Sequence, residues 1–149
     1  MTDTQAFVDT ASSRTGELAD RYIALWNEPH PDRRRQAIAG LWTEDGTHIL
    51  EPPEEVRQVA ERPGIGLAAV LEARGHAEIE ARAASAYTEW VGSQGLSFRR
   101  RDDAERLRDV VKFQWEAVAE GGELFAVGLC FLVLAEDGRI RRDYTFVVG

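Results

Sequence analysis

The hydrophobic period of this 149-residue chain changes once, near Gly95, from about four residues to about two. That single switch confines the fold to helices first and a strand meander second. Within residues 15–26, Leu18, Tyr22, Leu25 and Trp26 form one helical stripe, and Pro29 and Pro31 end it. Asp32 is the predicted N-cap of a second helix, in which Ala37, Ile38, Leu41 and Trp42 repeat the pattern and which stops before Gly46. Residues 47–51 (THILE) read as a short strand closed by Pro52 and Pro53. Residues 52–66, with Pro63, Gly64 and Gly66, read as a lid-like insertion. A third helix starts at Gly75 or His76 and carries Ile79, Ala83, Ala86, Tyr87, Trp90 and Val91 until Gly92 and Gly95 terminate it.

Beyond Gly95 four strand-like runs follow, over 96–102, 107–118, 124–135 and 140–148. The links containing Gly121-Gly122 and Gly138 are hairpin turns, so the C-terminal half is predicted to be antiparallel. In the second run Asp109, Val111, Phe113 and Trp115 share one face, and Val110, Lys112, Gln114 and Glu116 the other. The third run is apolar at both parities, which predicts cover on both sides, by the core and by helices or a second subunit. It is well short of the ~20 residues a membrane helix needs. The expected class is α+β, a curved antiparallel sheet on three helices, forming a single domain over 15–149 behind a frayed arm at 1–14.

Charge and cysteine usage remove several functions. With 26 acidic against 18 basic residues the net charge is -8, which argues against nucleic acid and anionic membranes as partners. Arg99, Arg100 and Arg101 are cancelled locally by Asp102 and Asp103. The single cysteine, Cys130, makes no internal disulfide and fits a cytoplasmic setting, with inert burial its expected state. No phosphate loop, nucleophile elbow or dinucleotide fingerprint is present. The three histidines, at 30, 48 and 76, lack the spacing of a helical zinc motif, so neither metal nor other cofactor is expected. His76 reads as an organiser of its helix start.

Residues 21–46 (RYIALWNEPHPDRRRQAIAGLWTEDG), the phrase Arg74-Gly75-His76 and residues 138–146 (GRIRRDYTF) resemble the nuclear transport factor 2-like superfamily, and most of all its SnoaL-like polyketide cyclase branch. The resemblance covers about 15–148. It implies a cone-shaped, cystatin-like α+β barrel whose open end is an apolar pocket, with homodimers through the outer face of the sheet. Members include isomerases, dehydratases, epoxide hydrolases and cyclases, together with proteins that only bind a ligand or a partner. The fold does not choose among them.

A carboxyl or imidazole in an apolar pocket becomes a proton shuttle, because withholding water from its charged form moves its pKa toward neutrality. Asp143 is one candidate, because it stands in the last strand amid Arg142, Tyr144 and Phe146, where the resemblance implies pocket-lining polar residues; in the cyclase branch an aspartate, not matched to a position here, serves as general acid and base. The alternative is a surface aspartate paired with Arg139 or Arg141. Alternation sends Asp143 and Tyr144 to opposite faces, so at most one of them lines the cavity. The superfamily's ketosteroid isomerases place their base just before a proline. Here Glu51 precedes Pro52, but counting from Asp45 puts Leu50 at the equivalent place. If Leu50 faces the pocket, His48 does too and Glu51 does not. His48 is therefore the second acid–base candidate, against the alternative of a histidine simply satisfied in the core. Trp26, Trp42 and Trp115, with Tyr22, are candidates to stack on a flat cyclic ligand or to fill the core. Lys112 is a candidate to meet an anionic or carbonyl group, and Tyr144 to donate to a ligand oxygen; exposed and half-buried sheet positions are their alternatives. The expected function is binding of a small hydrophobic, cyclic molecule with acid–base chemistry by His48 and Asp143. The alternative is a non-catalytic module for ligand or protein binding.

Overall fold

The first helical stripe belongs to a helix longer than its apolar residues require. In the computed structural model, which describes residues 2–51 and 72–148 with side chains from residue 14 onward, α1 spans Thr2–Asn27. The expected arm at 1–14 is thus helical backbone from Thr2. No proline or glycine precedes Gly16 to stop a helix that the packed part from residue 15 already nucleates. The Asn27 side chain closes α1 by donating to the Phe98 carbonyl (2.7 Å) and accepting from the Phe98 N–H (2.8 Å).

Helix α2 (Pro31–Leu41) begins two residues earlier than expected, with His30 as N-cap and Pro31 in the first turn. Proline already has helical φ and no N–H to satisfy there, and Asp32 meets the positive end of the helix dipole. Trp42 leaves the helix with extended backbone and opens strand β1 (Trp42–Leu50), which is longer than the predicted 47–51. Gly46 sits where the β1 register shifts. A Cβ there would lie 2.8 Å from the Trp42 ring and 3.0 Å from the Ile140 carbonyl, so close approach demands the glycine.

The chain resumes with β2 (Glu72–Arg74), α3 (Gly75–Ala86) and a π-helical continuation, Tyr87–Ser93. The insertion expected at 52–66 lies outside the described residues. Strands β3 (Ser97–Arg100), β4 (Glu105–Leu107), β5 (Val110–Val118), β6 (Leu124–Leu134) and β7 (Ile140–Val147) complete a 7-stranded sheet ordered β2-β1-β7-β6-β5-β3, with β4 also on β5. The predicted meander β5-β6-β7 is antiparallel, but β1 runs parallel to β7, so the sheet is mixed. Alternation records which face a strand buries and carries no information on its direction. The predicted run 107–118 is split: Leu107 ends β4, and Arg108, at a φ of 53°, turns the chain into β5.

The three helices cover the inner face of the curved sheet. Tyr22, Leu25, Ile38, Leu41, Trp42 and Ile79 pack there against Val111, Phe113, Leu132 and Ile140. Among the described residues no helix is long and apolar enough to cross a membrane.

Candidate functional site

One end of the space between helices and sheet is left open, as a cavity of about 180 Å³. Aromatic rings of Trp26, Trp90, Phe98, Trp115 and Phe125 line it, with Ala86, Ala117 and Ala126 between them. The small side chains are what leave room. Gly128, on β6, lies directly beneath Trp115, and a Cβ there would overlap the indole. The π-helical turn carries Trp90 to the rim, where its ring lies 5.8 Å from that of Phe125.

A polar cluster stands against one wall. Asp143 is paired directly with His48 across the parallel β7–β1 ladder and has no exposure to solvent. The Tyr22 hydroxyl donates to its Oδ2 (2.6 Å), and the Thr145 hydroxyl donates to its Oδ1 (2.7 Å). His48 Nε2 lies 3.6 Å from Oδ2. On the other side of the ring, Arg82 Nη1 lies 3.1 Å from His48 Nδ1 and donates to the His48 carbonyl at 3.0 Å. Tyr22, His48, Thr145 and Arg82 all line the cavity, whereas Asp143 sits one layer behind them.

Burial governs the charges in this cluster. It pushes the Asp143 carboxyl up to about 7, against the opposing pull of the Tyr22 and Thr145 hydrogen bonds and the Arg82 charge. It pushes the His48 imidazole down to about 3, helped by the same Arg82 charge, so the ring is neutral at physiological pH. Tyr22 is raised by burial and by Asp143 beside it, and so remains a donor. Cys130, whose Sγ is 3.2 Å from the Thr145 hydroxyl, is raised by burial and by Asp143, consistent with an inert thiol.

No protein-family model matches the chain, and no curated protein matches it. Solved structures do. A SnoaL-like family protein from Agrobacterium tumefaciens superposes with a TM-score of 0.73 at 21% identity, over 92% of this chain and 99% of that one. A SnoaL-like protein from Burkholderia thailandensis gives 0.61 at 16%, over 91% and 95%. A protein from Sinorhizobium meliloti, provisionally named a polyketide cyclase, gives 0.55 at 10%, over 87% and 93%. The chain has the fold that these SnoaL-like and nuclear transport factor 2-like proteins share.

Within that fold the two acid–base candidates are neighbours. Leu50 and His48 both line the cavity, meeting the condition set by the shifted proline register. Tyr22, Trp26 and Trp115 also line it. Trp42 does not: it is fully buried at the filled end, its ring 5.8 Å from that of Tyr22. Lys112 is on the outer face, with half of its side chain exposed and Nζ 3.9 Å from Glu105. Tyr144 is half-buried on the same outer face, opposite Phe131. Both corrections follow from the two-residue period, because Phe113 and Asp143 are inside and their neighbours must point out. His76, in the first turn of α3, places its Nε2 3.0 Å from the Trp42 carbonyl at the start of β1.

The sequence reading left out Arg82 and Thr145. Thr145 shares the parity of Asp143 and was legible on that ground. Arg82 stands beside the apolar stripe of Ile79, Ala83 and Ala86, and a cation bordering such a stripe is the signal that marks it.

Proposed function

We propose that this domain binds a small, largely apolar cyclic molecule in the open end of its cone and moves protons on it, with Asp143 as the acid–base group. The observation that carries the reading is a fully buried carboxyl one hydrogen bond behind the wall of an aromatic cavity, where burial pushes its pKa up to about 7. Proton passage needs a relay, since Asp143 does not itself face the cavity. The Thr145 hydroxyl faces the cavity and donates to Asp143. It can give its proton to the ionised carboxylate while its oxygen takes one from the ligand, and the Tyr22 hydroxyl is placed to do the same at the other oxygen.

The volume narrows the ligand. About 180 Å³ is close to the ~150 Å³ of a cavity that holds benzene, and below the ~300–1,000 Å³ usual for larger ligands. A single-ring molecule fits better than a multi-ring polyketide. The Agrobacterium protein is provisionally named an isomerase, and a neighbour from Catenulispora acidiphila is described as ketosteroid isomerase-like in fold, which supports proton-transfer chemistry. A second reading, ligand sequestration without chemistry, is favoured by one observation: both Asp143 oxygens are already occupied by protein donors.

The test is a panel of single-ring ketones and phenols, scored first by thermal shift and then, for the ketones, by deuterium uptake next to the carbonyl in heavy water. Binding with uptake that Asp143→Asn abolishes supports the proton-transfer reading. Binding without uptake leaves sequestration, and a panel with no binder overturns both.

We also infer that the outer face of the sheet pairs with a second copy of the chain. Phe131 and Phe146 meet edge-to-face there at 6.0 Å, and Phe146 and Val148 remain exposed. Sedimentation equilibrium is expected to show a dimer that Phe146→Glu dissociates. A monomer at all concentrations overturns the inference.

A further inference from the structure

The Arg82 guanidinium reaches from α3 across the cavity wall to β1, and its contact with His48 has a chemical consequence. A guanidinium has only donors, and it stays charged at any pH the fold withstands. Its Nη1, 3.1 Å from His48 Nδ1, makes a hydrogen bond there only if Nδ1 offers a lone pair. The neutral ring must then carry its proton on Nε2, the atom that lies 3.6 Å from Asp143 Oδ2. The same Nη1 also donates to the His48 carbonyl at 3.0 Å, which ties the guanidinium to the β1 backbone. Ile79 and Ala83, buried on α3, hold the helix that delivers it.

We propose that Arg82 is a positioning residue that fixes His48 as its Nε2-protonated tautomer, so that the histidine turns an N–H rather than a lone pair toward Asp143. This deepens the acid–base reading above, because it leaves Asp143 as the base, but the tautomer itself is a property of the ligand-free protein. The surroundings agree. Among the described residues the ring meets the uncharged Trp26 indole of α1, Asp143 of β7 and Arg82 of α3, with Ala73 of β2 its backbone partner. A second proton on His48 would therefore face the Arg82 charge directly, while Asp143, Glu72 and Glu78 act on that charge from further along the cluster.

Ligand-free protein with nitrogen-15 histidine, read by two-bond proton–nitrogen spectra, tests the assignment; the His48 signals are those lost in His48→Gln. The expected wild-type pattern is bare Nδ1 and protonated Nε2, unchanged from about pH 5 to about pH 8, where a free imidazole titrates. Arg82→Met is expected to admit the Nδ1-protonated tautomer, and Arg82→Lys, which keeps a charged donor, to preserve the wild-type pattern. A wild-type ring protonated on Nδ1, a wild-type ring that titrates in this range, or an Arg82→Met spectrum identical to wild type overturns the proposal. If Arg82→Met does not fold, the wild-type spectrum decides alone. None of these outcomes depends on finding a ligand, so failure of the ligand panel is distinguishable from failure here.

Discussion

The two ends of the hollow between helices and sheet are built from the same residue types and end in opposite states. At the closed end Trp42, Phe113, Leu132 and Ile140 pack in the core at zero to one per cent exposure. At the open end five aromatic rings meet Ala86, Ala117, Ala126 and, under Trp115, Gly128, and a void remains. Hydrophobicity does not distinguish the ends. The volume of the partner does: a ring packed on large aliphatic side chains fills space, and a ring packed on alanine and glycine leaves some. The proposed site belongs to the second arrangement, because the Tyr22, His48 and Thr145 side chains around Asp143 line that void.

The contrast is most sharply tested by truncating one indole at each end. Trp42→Ala is expected to cost about 3–5 kcal/mol in urea unfolding, the usual range for a buried aromatic, whereas Trp115→Ala costs clearly less because its ring already borders a void. Equal losses would mean that the open end is packed as tightly as the closed one. Next in size is Gly128→Ala. The added methyl must displace the Trp115 indole into the cavity, at about 1–3 kcal/mol, with a shift in tryptophan emission and loss of ligand binding. An unchanged emission spectrum would contradict the packing of Trp115 on Gly128.

The smallest effect is a slope. Asp143, raised to about 7, contributes stability that is present below its unfolded value of 3.8 and is lost as pH rises toward 7. His48, lowered to about 3, contributes stability that is present above 6.5 and is lost as pH falls toward 3. Between about pH 4 and 6.5 the two oppose each other in the wild type. Relative to wild type, His48→Gln is therefore expected to lose stability with rising pH, and Asp143→Asn to gain it, each by up to about 1.4 kcal/mol per pH unit. Urea midpoints measured across that window check both signs. Parallel slopes in the two variants would refute the opposed charges.

Several elements of this picture were legible in the residues alone. The change of period near Gly95 divided helices from meander, and the distance of His48 from Leu50, like that of Asp143 from Thr145, put each pair on one face. Parity also excluded Lys112 and Tyr144 from the face that holds Phe113 and Asp143, once either interior residue was known. Trp42 misled because its helical spacing from Ile38 and Leu41 suited both a helix stripe and the strand that starts there. The parallel pairing of β1 with β7 had no local signature at all, and the direct facing of His48 and Asp143 depends on it.

The chain's own order of residues determined which side chains are buried and on which face, because periodicity is a property of neighbours along the backbone. Only the tertiary structure decided that one end stays hollow, that Asp143 lies behind His48 rather than beside solvent, and that Arg82 caps the imidazole. These are relations between segments dozens of residues apart. They depend on volumes and distances that arise when the sheet curls over the helices, and no local pattern encodes them.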